Sequence, residues 1–118
     1  MAEAERLKDA LRSLIAAWQS GDALRAAAHF AVAGEYREAG RDALVGRAAL
    51  VDHFTTFFRD GPTWRFELDQ VFTEGMHACV VYRYAVEGTG GAWRERAGCA
   101  VVIFDADGAI AAWREYEG

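Results

Sequence analysis

MHACVVYRYAVEGTGGAWRERAGCAVVIFDADGAIAAWREY, residues 76–116, holds three stretches of alternating side chains separated by two turn signals. A period of two is the mark of a strand with one face buried. Gly88-Thr89-Gly90-Gly91 supplies the backbone freedom of a hairpin loop, and Asp105-Ala106-Asp107-Gly108 reads as a second tight turn. The spacing therefore predicts strands over 76–87, 93–104 and 109–116, joined as an antiparallel meander. The last of them closes on Trp113-Arg114-Glu115-Tyr116, a carboxylate between aromatics, which is a candidate wall of a ligand site.

Upstream, Thr63–Phe72 alternates in the same way. Trp64, Phe66 and Leu68 share one face, and Arg65, Glu67 and Asp69 share the other. Phe72 continues the apolar parity, whereas Val71 falls on the polar one. Earlier still the period changes to that of helices. Leu7, Leu11, Leu14, Ile15 and Trp18 recur at steps of three and four and predict a helix over 3–19. Ser20-Gly21-Asp22 ends it and caps a second, alanine-rich helix over 23–30. Residues 33–40 read as a short strand or an irregular stretch. Gly46 precedes a third helix over 47–59, with Leu50, Phe54, Phe57 and Phe58 on its apolar stripe and His53 on the flank. Asp60-Gly61-Pro62 breaks it. Helices first and a meander last describe an α+β fold with helices on one face of a curved sheet.

The chain has 118 residues and is 53% apolar, which suits one domain over 1–118 with a core that needs no staples. Its formal charge of -5 argues against a nucleic-acid backbone as partner. No apolar stretch approaches the ~20 residues of a membrane span. The charged start, Met1-Ala2-Glu3-Ala4-Glu5-Arg6, lacks a signal peptide's apolar centre, so a cytoplasmic protein is expected. Cys79 and Cys99 form no metal-binding pair, and His29, His53 and His77 lack ligand spacing. No metal and no cofactor is expected.

Three segments, in their order and spacing, resemble the SnoaL-like group of the nuclear transport factor 2-like superfamily. They are Trp18-Gln19-Ser20-Gly21-Asp22, Gly46-Arg47-Ala48-Ala49-Leu50, and Phe104-Asp105-Ala106-Asp107-Gly108-Ala109-Ile110 followed by Trp113-Arg114-Glu115-Tyr116. The resemblance implies a cone: a curved antiparallel sheet wrapped around three N-terminal helices, with an apolar pocket open at one end. It also implies a homodimer through the outer sheet face, where Arg65, Glu67, Asp69, Arg83, Glu95 and Arg114 surround Cys79, Val81, Val101 and Ile103. Relatives include ketosteroid isomerase, limonene epoxide hydrolase, scytalone dehydratase and polyketide cyclases, alongside binders without turnover. Fold alone therefore leaves the chemistry open.

The same resemblance orients the strands. It turns Trp113 and Glu115 inward, with Tyr82 and Tyr84, and with Arg94, Arg96, Gly98, Ala100 and Val102 on the neighbouring strand. A hairpin centred near Gly88–Gly90 then sets Arg83 opposite Glu95, Tyr82 opposite Arg96 and Cys79 opposite Cys99. Glu115 matches a catalytic aspartate of limonene epoxide hydrolase, whose Trp-Arg-Asp-Tyr is Trp-Arg-Glu-Tyr here. That enzyme's arginine and second aspartate fall on Tyr82 and Tyr84, so its triad is absent. Glu38 falls near the general base of ketosteroid isomerase, whose oxyanion-hole positions are Leu14 and Ala100 here.

Glu38 and Glu115 are thus the candidate acid/base residues. Tyr36, Tyr82, Tyr84 and Trp113 are candidate ligand-binding rings with polar tips. Arg96 is a candidate anion contact, and His53 the one candidate titrating near neutrality. The expected ligand is a small hydrophobic or aromatic molecule. An isomerase, cyclase or hydrolase without metal and a non-catalytic ligand-binding or dimeric interaction module both fit.

Overall fold

A computed structural model describes residues 2–117. Helix α1 (Ala2–Gln19) buries the predicted stripe: Leu7, Leu11, Leu14, Ile15 and Trp18 all lie in the core. Glu3 and Glu5 in its first turn complement the positive end of the helix dipole. Gly21, at φ 72°, turns the chain, and the Arg25 amide donates to Asp22 Oδ1 at 3.0 Å to cap α2 (Ala23–Ala27). The second helix is shorter than expected. Phe30 is fully buried, and its carbonyl accepts from the Arg47 guanidinium at 2.7 and 3.1 Å instead of closing another helical turn. The chain enters strand β1 (Phe30–Arg37) there, so of the two readings of residues 33–40, a short strand or an irregular stretch, the strand holds as far as Arg37.

A two-residue strand β2 (Leu44–Val45) leads through Gly46 into α3 (Arg47–Asp60). Gly46 sits at φ 101°, a conformation that a side chain resists. Strands β3 (Trp64–Glu74), β4 (His77–Glu87), β5 (Trp93–Phe104) and β6 (Ile110–Glu117) follow. The six strands form one curved sheet in the order β2-β1-β6-β5-β4-β3. The meander is antiparallel as read. The sheet as a whole is mixed, because β1 runs parallel to β6. A crossover through α3 and the meander brings those two strands side by side, which a local hairpin cannot do.

Two bulges resolve the parity conflicts in the sequence. Leu68 pairs with Tyr82 and Gln70 with Val81, so Asp69 is an extra residue. Beyond it the faces exchange: Val71 packs on the core and Phe72 is 58% exposed. In β6, Ile103 pairs with Ala112 and Phe104 with Ile110, leaving Ala111 extra. Ile110 and Trp113 thereby both face inward and are buried.

The hairpin between β4 and β5 turns one residue later than expected. Glu87 pairs with Trp93 across a five-residue loop, 88–92, that contains the short helical turn Thr89–Gly91. Every partner therefore moves by two: Arg83 faces Ala97, Tyr84 faces Arg96, Tyr82 faces Gly98 and Cys79 faces Val101. The expected Arg83–Glu95 pair is replaced by Arg83 with Glu67 at 2.6 Å and Asp69 at 3.1 Å. A shift of two keeps each side chain on its face. Cys79 and Cys99 become diagonal neighbours on the outer face, both free and half-buried.

Candidate functional site

The sheet curls over α1 and α3 and encloses a cavity of about 500 Å³. Its floor is aromatic. Trp18 stands edge-on to Phe54, Phe66 and Tyr36, with ring centroids 5.7–6.4 Å apart. Phe66 stacks on Tyr82 at 4.8 Å, and Phe57 and Trp64 close one side. Polar groups enter from β1, α3, β4, β5 and β6. Of the eight residues singled out in the sequence, Glu38, Glu115, Tyr36, His53, Tyr82, Tyr84 and Arg96 line this one cavity.

Trp113 does not line it. Its ring is fully buried beneath the floor, 5.2 Å from Trp18 and nearly perpendicular to it. Its indole Nε1–H donates to Glu115 Oε2 at 2.9 Å. Strand parity points Trp113 inward, as expected, but so close to the helices that it packs instead of facing open space. Among the described residues, Arg41, Phe54, Phe57, Trp64 and Glu117 also line the cavity and are not among the site residues named from sequence, although Trp64 was expected to face inward. The apolar parity around Trp64 and the Phe54–Phe57 stripe carried a signal for three of them. Arg41 lies in the β1–β2 connection, where no periodicity exists to place it.

The two carboxylates occupy opposite environments. Glu38 follows directly after β1, and its carboxylate lies 3.6 Å from His53 Nε2. The Tyr36 hydroxyl donates to it at 3.4 Å, and Arg41 stands 4.0 Å away. His53 is the main influence holding the Glu38 pKa below the ordinary value, against the opposing effect of burial. Glu115 behaves oppositely. Burial pushes its pKa up to about 7, aided by the negative charges of Glu38 and Glu117 and opposed by the Trp113 indole. Near neutrality one cavity therefore holds an ionised carboxylate and a carboxyl group that keeps its proton about half the time.

Three tyrosines remain protonated in this setting. Burial first, then the nearby glutamates, raises the pKa of Tyr36 and Tyr82 far above the ordinary value and that of Tyr84 to about 12. Each is a hydrogen-bond donor and not a base. The Tyr82 hydroxyl packs over Gly98, where an added Cβ would sit only 2.9 Å from it. Glu117 lies beside it without the alignment of a hydrogen bond. The Tyr82 hydroxyl and the Trp18 Nε1–H are the buried side-chain polar atoms left without a partner among the described residues. Both belong to residues of the cavity wall.

Among the described residues no group of three or more His, Cys, Asp or Glu is arranged to hold a metal ion. No helix there is long and apolar enough to cross a membrane.

Comparison with solved structures places the fold. The chain superposes on SalBIII, described as an epoxide hydrolase/cyclase-like enzyme in pyran ring formation in polyether salinomycin. The TM-score is 0.86 at 16% identity, covering 100% of this chain and 95% of that one. A limonene-epoxide-hydrolase-like epoxide hydrolase of M. tuberculosis gives 0.83 at 18% identity, covering 97% and 84%. A nuclear transport factor 2-like protein of unknown function from Cytophaga hutchinsonii gives 0.77 at 13% identity, covering 95% and 89%. At these identities the likeness concerns the fold. A search of curated protein sequences finds no match. The sequence model of the SnoaL-like domain matches residues 11–113, which is most of the chain, and the protein belongs to that family.

Proposed function

We propose that the cavity binds a hydrophobic or aromatic small molecule and carries out cyclase- or hydrolase-type acid/base chemistry on it. The observation that carries this reading is the pairing of Glu38 and Glu115 in one cavity with their pKa values pushed in opposite directions. Such a pair divides the roles of base and acid. Glu38, ionised and steadied by His53 and Tyr36, accepts a proton from an attacking hydroxyl or water. Glu115, protonated, delivers one to the oxygen that leaves. Trp113 holds the Glu115 carboxyl in place through its indole N–H. Tyr82, Tyr84 and Trp18 orient the ligand by ring contact and by donors that lack a protein partner. SalBIII, described as epoxide hydrolase/cyclase-like, and the M. tuberculosis epoxide hydrolase share this fold and support the choice of reaction class.

The test is turnover of a panel of aryl-alkyl epoxides with and without a pendant hydroxyl. Glu38→Gln and Glu115→Gln are each expected to lower kcat by ~10²-fold or more, the range of a lost general acid or base. A substrate turned over at full rate by both variants would refute the assignment. Binding without turnover is the second reading. It draws support from Tyr82 and Tyr84, which by the family resemblance fall where limonene epoxide hydrolase carries an arginine and an aspartate. Ligand binding by the wild type with no turnover of any epoxide would favour it.

We further propose that the protein works as a homodimer in the cytoplasm. Phe72, 58% exposed, and Tyr116, 48% exposed, lie on the outer sheet face near the half-buried Val81, Val101 and Ile103. The two free thiols on that face accord with a reducing compartment. Sedimentation equilibrium of the wild type beside Val101→Glu decides the dimer: a monomeric wild type removes it.

A further inference from the structure

Pairing of β5 with β6 begins only at Gly98 opposite Glu117, so Trp93 to Ala97 pair with β4 alone among the described residues. Residues 94–97 form one wall of a second cleft, about 520 Å³, lined by Arg94, Glu95, Arg96, Ala97 and Glu117. Arg96 and Glu117 line both this cleft and the aromatic cavity, so the two spaces adjoin. Arg94 and Arg96 have the same parity as Gly98, Ala100 and Val102, the inward face of β5. Neither arginine is spent on the protein. Arg96 is 60% exposed and meets Glu117 only at 3.9 Å, and Arg94 has no carboxylate within salt-bridge distance among the described residues.

We propose that the ligand is an amphiphile. Its apolar body fills the aromatic cavity, and a terminal carboxylate rests in the outer cleft against Arg96 and Arg94. The proposal rests on the cavity being the ligand site and adds the class of ligand that it takes. An arginine fork suits a carboxylate because two parallel N–H donors match its two oxygens. A carboxylate fits better than a phosphate monoester. Glu117 stands beside Arg96 in the same cleft and offsets part of the arginines' charge before a ligand arrives. A single negative charge can displace Glu117 from its long contact with Arg96. A dianion would meet stronger repulsion from Glu117.

The experiment compares three probes of one shape by calorimetry: 6-phenylhexanoate, 6-phenylhexanamide and 6-phenylhexyl phosphate. Each is titrated into the wild-type protein, Arg96→Gln, Arg94→Gln, and Arg12→Gln on α1 as a control outside both spaces. Both cleft arginines are exposed, so their variants are expected to fold. The acid should bind about tenfold tighter than the amide in the wild type, the yield of a charge-assisted contact at a partly wet site. Arg96→Gln should cut that preference to about twofold, Arg94→Gln should reduce it less, and Arg12→Gln should leave it in place. Equal binding of acid and amide, or a preference that survives Arg96→Gln, overturns the carboxylate site while leaving the cavity as a ligand site. Tighter binding of the phosphate overturns the choice of carboxylate. Failure of all three probes to bind overturns both the cleft and the cavity.

Discussion

Replacing Glu115 by Gln tests the electrostatics of the cavity without any knowledge of its ligand. Burial lifts the Glu115 pKa from the ordinary 4.5 to about 7 in the folded protein. Between those values the native state holds a proton that the unfolded chain has released. Unfolding then sheds protons, and stability falls as pH rises through that window. Below about 4.5 both states are protonated and the effect is fully present; above about 7 both are ionised and it is lost. The separation, at about 1.4 kcal/mol per pH unit, amounts to about 3 kcal/mol across the window. Glutamine removes the ionisation and keeps an acceptor for the Trp113 indole. At pH 5 the two proteins should differ by less than about 1 kcal/mol, because both side chains are neutral in the folded state and the pH lies close to the unfolded glutamate's own value. At pH 9 Glu115→Gln should be the more stable by about 3 kcal/mol, or about 10 °C in Tm for a chain of this size. Glu38, whose folded pKa lies below the ordinary value, contributes stability that is lost on the acid side. It is present in both proteins, so the difference between them isolates Glu115 to first order. Urea unfolding followed by tryptophan fluorescence from pH 5 to 9 measures the gap. Parallel curves, or a gap that opens toward acid, would show that Glu115 does not hold its proton as described.

Trp113→Phe removes the indole donor that opposes the rise, so the midpoint of the pH-dependent loss should move to higher pH. The fully buried site should also lose about 1–3 kcal/mol in the same unfolding experiment, from the ring volume removed. In Gly98→Ala the new methyl meets the Tyr116 carbonyl at 2.8 Å, and Glu117 Cγ and the Tyr82 hydroxyl at 2.9 Å. The backbone carbonyl cannot move aside, so a loss of about 1–3 kcal/mol is expected in chemical denaturation, with altered probe binding as Tyr82 shifts. Leu14→Ala opens a void where α1 faces the sheet, at a side chain with no exposed surface, and should cost about 2–5 kcal/mol by the same measurement. A loss below about 1 kcal/mol would mean that the helix is not packed there as described.

Alternation and helical spacing are local properties, and they determined most of this protein. The apolar stripe from Leu7 to Trp18, the caps at Gly21 and Asp22, and the strands of residues 76–116 all follow from residues within one or two turns of each other. The inward parity of Tyr82, Tyr84, Glu115 and Arg96 followed from the family resemblance together with the period of two, and it survived a hairpin shifted by two residues. Three things were not local. The parallel pairing of β1 with β6 joins residues nearly eighty positions apart and is visible only once the sheet is assembled. The bulges at Asp69 and Ala111 show in sequence only as contradictory parity, and the partner strand decides which residue is extra. The separate fates of Glu38 and Glu115 depend on depth. One meets His53 from a helix that the sequence does not place against it, and the other sits over a buried indole in a wall of rings. Sequence names a carboxylate, but its proton affinity is set by what surrounds it in space. The closing Trp113-Arg114-Glu115-Tyr116 therefore carried the fold in its pattern, while only the tertiary structure showed that its tryptophan supports the glutamate from beneath.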